Sequence, residues 1–157
     1  MDRLRLMNIQ KPMTDMVFTP NAAPVLLYDG VCGFCNKTVQ LLLDVDKRKT
    51  LRFAALQSDY GARILARRAE LANVDSVIYV QSPATKDERV FVRSAAALQI
   101  AAYLGGWWRV FLAAYVIPRP LRDAAYDLIA RYRYRFFGKL DACLLPPPDV
   151  RSRFMDA

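Results

Sequence analysis

The chain has 157 residues, of which 54% are hydrophobic and 24% charged, enough apolar material for a buried core and too much for a disordered or fibrous protein. It contains no histidine, which excludes a Ser-His-Asp triad, a Cys-His protease pair, a His-ligated metal and an imidazole general base. A formal charge of +8 raises the question of an anionic partner, and three cysteines are too few and too odd a number for a secreted disulfide scaffold.

Residues 1–24 show no sustained period and carry Pro12, Pro20 and Pro24, so they read as a mobile arm ahead of a single domain over 25–157. Asp2, Arg3, Arg5, Lys11 and Asp15 interrupt the apolar residues of that arm, so no signal peptide is read there and a cytoplasmic, reducing location is expected. Val25-Leu26-Leu27-Tyr28, closed by Asp29-Gly30, reads as a buried strand. From Cys35 the period changes to that of a helix, with Val39, Leu42 and Leu43 on its apolar stripe, ending in Asp46-Lys47-Arg48-Lys49. Leu51–Ala55 reads as a second strand and Asp59–Leu71 as a second helix. Ser76–Val80 and Arg89–Val92, joined by the polar turn Ser82–Glu88, read as an antiparallel hairpin. Ser94 stands where an N-cap belongs for the helix Ala95–Leu104, which Gly105-Gly106 stops. Two further helices are predicted, Trp107–Ile117 and Leu121–Phe137. The core stripe of the second is read as Leu121, Ala125, Leu128, Ile129, Tyr132 and Phe136, and its Arg131, Arg133 and Arg135 as surface charges near the negative end of the dipole. The run from Cys143 through Pro146-Pro147-Pro148 reads as an extended segment across the globule.

The order βαβ, α, ββ, α makes an α/β domain with additional C-terminal helices, and its first strand-to-helix turn holds Asp29-Gly30-Val31-Cys32-Gly33-Phe34-Cys35. Cys32 falls at or just before the helix start, where free backbone N–H groups and the positive end of the dipole stabilise a thiolate. Cys35 lies one turn inward, where desolvation keeps a thiol neutral. The pair therefore suits thiol-disulfide exchange: Cys32 attacks, and Cys35 resolves the mixed disulfide. Asp29 is either a proton acceptor for Cys35 through water or the side chain of an Asx-type turn, and both readings stay open. A structural zinc site and inert buried thiols are the bland alternatives; Cys143 reads as a packed thiol.

These residues resemble the DCC family of thiol-disulfide oxidoreductases, a thioredoxin-like group. The likeness rests on Tyr28–Asn36, on Arg52–Ser58, on Val92-Arg93-Ser94-Ala95-Ala96, on Pro118–Tyr126 and on Cys143 with its trailing prolines. It implies a thioredoxin-like fold and a thiol-disulfide exchange activity that uses Cys32, Cys35 and Asp29. Gly33 and Phe34, between the cysteines, are candidate substrate contacts. Thioredoxin-like proteins carry a cis-proline before the third strand. Asn73-Val74-Asp75-Ser76 has none, so Asp75 and Ser76 are placed opposite Cys32 as further candidates, with a turn leading into the strand as the alternative.

The expected partner is a protein or small thiol bearing a disulfide or dithiol, and no cofactor or metal is expected beyond a redox-active Cys32-Cys35 disulfide. The basic residues are scattered, which disfavours nucleic acid. Ser94 to Ile117 is apolar but interrupted by Arg109 and a glycine pair, so it reads as core helices with an interfacial patch of Trp107, Trp108, Phe111 and Tyr115 rather than as a membrane span. A rival reading keeps the fold without the catalysis, as a module docking on a membrane protein or anionic surface through the C-terminal helices. Oligomeric state, redox direction and substrate are not legible.

Overall fold

A computed structural model describes residues 23–74, 76–141 and 146–155. The arm up to residue 22, Asp75, and Cys143 with its neighbours 142, 144 and 145 lie outside the described residues.

Strand β1 (Val25–Tyr28) forms as expected and pairs parallel with β2 (Arg52–Ala55), Val25 opposite Arg52 and Tyr28 opposite Ala55. Strand β3 (Ile78–Gln81) runs antiparallel beside β1, and β4 (Arg89–Val92) closes the predicted hairpin on β3. The sheet order β2-β1-β3-β4 makes β1 central, and the mixed α/β arrangement is thioredoxin-like.

Alternation along β1 divides the core into two layers. Leu26 and Tyr28 pack with Val39, Leu42, Phe53 and Ile100 beneath helices α1 (Gly33–Val45) and α3 (Arg93–Leu104). Val25 and Leu27 pack with Ile64, Leu71, Ile78 and Val80 on the other face, beneath α2 (Asp59–Arg67). With both faces covered, β1 reads as an unbroken apolar run, which is why it was legible.

Several expectations need correction. Helix α2 stops at Arg67; the backbone breaks at Arg68, whose guanidinium pairs with Glu88, and resumes as a short 3-10 turn over Ala69–Leu71. Ser94 does not cap α3, which starts at Arg93, two residues before the predicted Ala95; its hydroxyl donates instead to Asp123. Residues Gly106–Val116 wind as 3-10 turns rather than an α-helix, pinched between glycines at positive φ and Pro118, and bury no residue.

The largest correction concerns α4 (Arg119–Phe137), whose predicted core stripe is exposed: Leu121, Leu128, Tyr132 and Phe136 face outward, and Ile129, also exposed, borders a cavity against the domain. The helix docks by polar contacts. Asp123 accepts from Ser94, the Tyr126 hydroxyl accepts from Val77 N–H at 3.3 Å, and Arg133, expected on the surface, is 3% exposed. No helix among the described residues is long and apolar enough to cross a membrane.

Asp46 fastens the end of α1. Its carboxylate accepts from the N–H groups of Arg48 and Leu51, from Tyr103 OH, and from Arg153 at 2.5 Å. Arg153 also lies over the Phe53 ring, and Phe154 beside it packs against Tyr28 and Phe53.

Candidate active site

Strand β1 ends at Tyr28 and α1 begins at Gly33, so the turn between them must satisfy its own backbone groups. Val31 N–H donates to Asp29 Oδ1 at 3.1 Å, an Asx-type turn, and Cys32 N–H returns to Asp29 O. Asn36 donates to Gly30 O at 2.8 Å and Cys32 O at 3.0 Å, holding the turn against the first turn of the helix.

Cys32 is the N-cap of α1, and its sulfur accepts from Cys35 N–H at 3.4 Å. The sulfur thus occupies the position where a helix start receives a negative charge. Cys35 sits one turn in, and both cysteines are free thiols, 0% and 2% exposed. Burial pushes the Cys35 thiol up to about 12, helped by its hydrogen bond and proximity to Cys32 and opposed by the Arg133 charge. An apolar cavity of about 400 Å³, with walls of Phe34, Leu42, Leu98, Leu104, Trp108 and Ile129, adjoins Cys35.

Arg133 reaches the pair from α4. Its Nη1 lies 3.9 Å from Cys35 Sγ and its Nη2 3.9 Å from Asp29 Oδ2, so one guanidinium joins the inner sulfur to the carboxylate. Tyr134 OH donates to Asp29 Oδ2, and Gln57 donates to Oδ1 at 2.9 Å while accepting from Gly30 N–H. Partial burial pushes the Asp29 carboxyl up, but the bonds from Tyr134, Gln57 and Val31 and the Arg133 charge outweigh it and hold the group below its ordinary range. The same contact, with burial, pushes the Tyr134 phenol up to about 12.

Of the residues singled out in the sequence, Asp29, Cys32, Gly33, Phe34 and Cys35 come together here. Ser76 is buried in the turn leading into β3, its hydroxyl accepting from Arg93 N–H and lying beside the Tyr126 hydroxyl. Asp75 lies outside the described residues. Sequence reasoning missed Gln57, Arg133 and Tyr134, although Gln57 lies in one of the segments that carry the family resemblance.

It also missed a strap. Beyond α4 the chain turns at Gly138, φ +73°, and runs antiparallel to the cysteine turn: Gly33 N–H donates to Gly138 O at 3.3 Å, Leu140 N–H to Val31 O at 2.7 Å, and Lys139 bridges Cys32. Gly33 is required by this approach, because a Cβ there would stand 2.3 Å from Phe137 O. Phe34 packs on Phe137, the last residue of α4, at 5.0 Å, so Gly33 and Phe34, two of the candidate substrate contacts, lie against the end of α4 and the strap.

The sequence profile of the DCC1-like thiol-disulfide oxidoreductase family matches residues 26–139, spanning the cysteine turn, the Arg133 helix and the start of the strap. The chain belongs to the DCC family. A DCC relative is a chloroplastic DCC family protein of Arabidopsis thaliana, 32% identical over 134 residues, 84% of this chain and 75% of that protein. The uncharacterized protein YuxK of Bacillus subtilis is 36% identical over 132 residues, 83% of this chain and 93% of that one. No solved structure matches. The DCC name describes what the site holds, an aspartate three residues before a CxxC pair.

The Asp29 contacts carry a pH prediction. Its folded value lies below the ordinary 3.8, so the stability it contributes is present above that value and is lost as the pH falls through the folded value. Urea melts of wild type and Asp29→Asn should therefore differ at neutral pH and converge as the pH drops below about 4. A constant difference down to pH 2 would contradict the assignment.

Proposed function

We propose that this protein is a thiol-disulfide oxidoreductase in which Cys32 is the nucleophile and Cys35 the resolving thiol. The observation that carries this reading is the sulfur N-cap: Cys32 Sγ takes the place of a capping oxygen and receives the Cys35 N–H, as a thiolate at a helix start would. In the first step the Cys32 thiolate attacks one sulfur of a partner disulfide, forming a mixed disulfide and expelling the other sulfur as a thiolate. In the second, Cys35 loses its proton to solvent or to the departing thiolate and attacks Cys32 Sγ. The partner leaves with two electrons and two thiols, and Cys32-Cys35 remains as the disulfide; the reverse sequence oxidises a dithiol.

Arg133 supports the second step. A neutral Cys35 in a dry site is a poor nucleophile, and the guanidinium 3.9 Å away favours its thiolate. Asp29, held below its ordinary range and bonded by Tyr134, Gln57 and Arg133, acts as the anchor of that guanidinium rather than as the proton acceptor.

The partner is a disulfide- or dithiol-bearing protein or small thiol, and no group beyond the two cysteines is needed. The Cys35→Ser variant should trap the partner on Cys32 as a mixed disulfide, released by reductant and identifiable by mass spectrometry, while Cys32→Ser traps none. Absence of any adduct with Cys35→Ser under oxidising conditions would leave the rival, a non-catalytic module of the same fold.

A further inference from the structure

Helix α4 is mounted inside out. A surface helix ordinarily buries its apolar stripe and shows its charges to water. Here Arg122, Tyr126 and Arg133 turn toward the domain, while Leu121, Leu128, Tyr132 and Phe136 turn away, Phe136 being 77% exposed. The outward stripe extends about 22 Å, from residue 121 to residue 136 at about 1.5 Å per residue. Arg131 and Arg135, both exposed, line one side of it. Alongside runs the Gly106–Val116 segment, tied to α4 by Arg122 over the Tyr115 ring at 4.9 Å, and it exposes Trp107 and Val116.

We infer that this face binds an anionic lipid surface, with the apolar side chains entering the bilayer interface and the guanidinium groups meeting the phosphates. The charge decides the occupant. Residues 106–139 contain seven lysines and arginines against two aspartates; Arg122 and Arg133 turn inward, and Arg109, Arg119, Arg131, Arg135 and Lys139 are exposed. Both aspartates are engaged: Asp123 by Ser94 and Arg119, Asp127 by Arg93. A second copy would bring the same cations face to face, and the two aspartates of α4 are already paired. A bilayer of anionic lipid satisfies both halves of the pattern, since exposed tryptophan and leucine partition into the interface and arginine stems lie along apolar surface while their heads reach phosphate. With no helix able to cross a membrane among the described residues, the face lies on the bilayer rather than through it.

The full chain should float with vesicles of equal parts phosphatidylglycerol and phosphatidylcholine, lose them at high salt, ignore phosphatidylcholine alone, and show a blue shift of tryptophan emission on binding. Leu128→Asp with Phe136→Asp, at exposed sites that keep the fold by circular dichroism, should abolish flotation. Arg131→Gln with Arg135→Gln should weaken it about twentyfold. The inference is overturned if anionic vesicles do not retain the wild type, or if the Asp double variant floats unchanged. It is also overturned if the chain forms a concentration-dependent dimer that the Asp double variant dissolves, which would assign the face to a second copy. Cys32→Ser should float like wild type, so this result and the redox reading stand or fall separately.

Discussion

Replacing Arg133 by methionine should prolong the mixed disulfide on Cys32 about tenfold to a hundredfold, the size of effect expected from losing a charged hydrogen-bond donor worth about 1.5–3 kcal/mol. The methionine fills the same channel with a neutral chain, so Cys35 keeps its burial and loses the one cation that opposes it. The change also leaves the Asp29 carboxylate with Tyr134, Gln57 and the Val31 N–H, and stability should fall by about 3 kcal/mol. Arg133→Lys keeps the charge without the fork and should recover much of the resolution rate. The measurement is the decay of a preformed Cys32 adduct, followed below the melting temperature of each variant. Equal decay in Arg133→Met, Arg133→Lys and wild type would remove Arg133 from the mechanism and leave it as packing.

The second large effect is expected at Gly33. Both sulfurs are buried, and the strap at residues 138–140 hydrogen-bonds across the cysteine turn, so the proposed mechanism requires the strap to lift before a partner reaches Cys32. Gly33→Ala places a carbon 2.3 Å from Phe137 O, a backbone atom that cannot rotate aside. The end of α4 must move, at a cost of about 1–3 kcal/mol. The variant should alkylate at Cys32 about fivefold to a hundredfold faster than wild type, as strap opening changes by the free energy lost from the closed state. Gly138→Ala tests the same hinge from the other side: its Cβ meets open space, but φ of +73° strains any residue other than glycine. Wild-type Cys32 reacting as fast as a free cysteine would show that the strap does not cover it.

What the sequence disclosed and what it withheld divide along a physical line. Strand β1, the cysteine turn and the β3-β4 hairpin were legible because their patterns are local: a short apolar run closed by Asp-Gly, a change of period, two β-branched runs about one turn apart. Helix α4 was legible as a helix but not in orientation. Its apolar stripe was assigned inward because burial is the usual fate of such a stripe, and here specific polar anchors at Ser94, Val77 and Asp29 override it. One signal was available. Residues two apart on a helix point roughly 200° away from each other, so Arg131, Arg133 and Arg135 cannot share a face, and Arg133 must oppose the other two. With Arg131 and Arg135 at the surface, Arg133 is directed into the protein. The strap was not legible at all, since Gly138-Lys139-Leu140 has no periodicity, and its register against Val31–Gly33 exists only once α4 is placed.

The return of the chain at Phe154 has a consequence for the sheet itself. Strands β2 and β4 are its two edges, and an edge strand offers unpaired backbone groups to any other chain. On β2, Phe154 forms a parallel bridge with Phe53, Met155 N–H donates to Phe53 O at 2.9 Å, and Arg52 reaches Ser152 O. The Arg153-Asp46 pair clamps that segment in place. Residues 151–155 thus behave as a selvage, closing the margin where the sheet would otherwise take up a foreign strand and begin to aggregate.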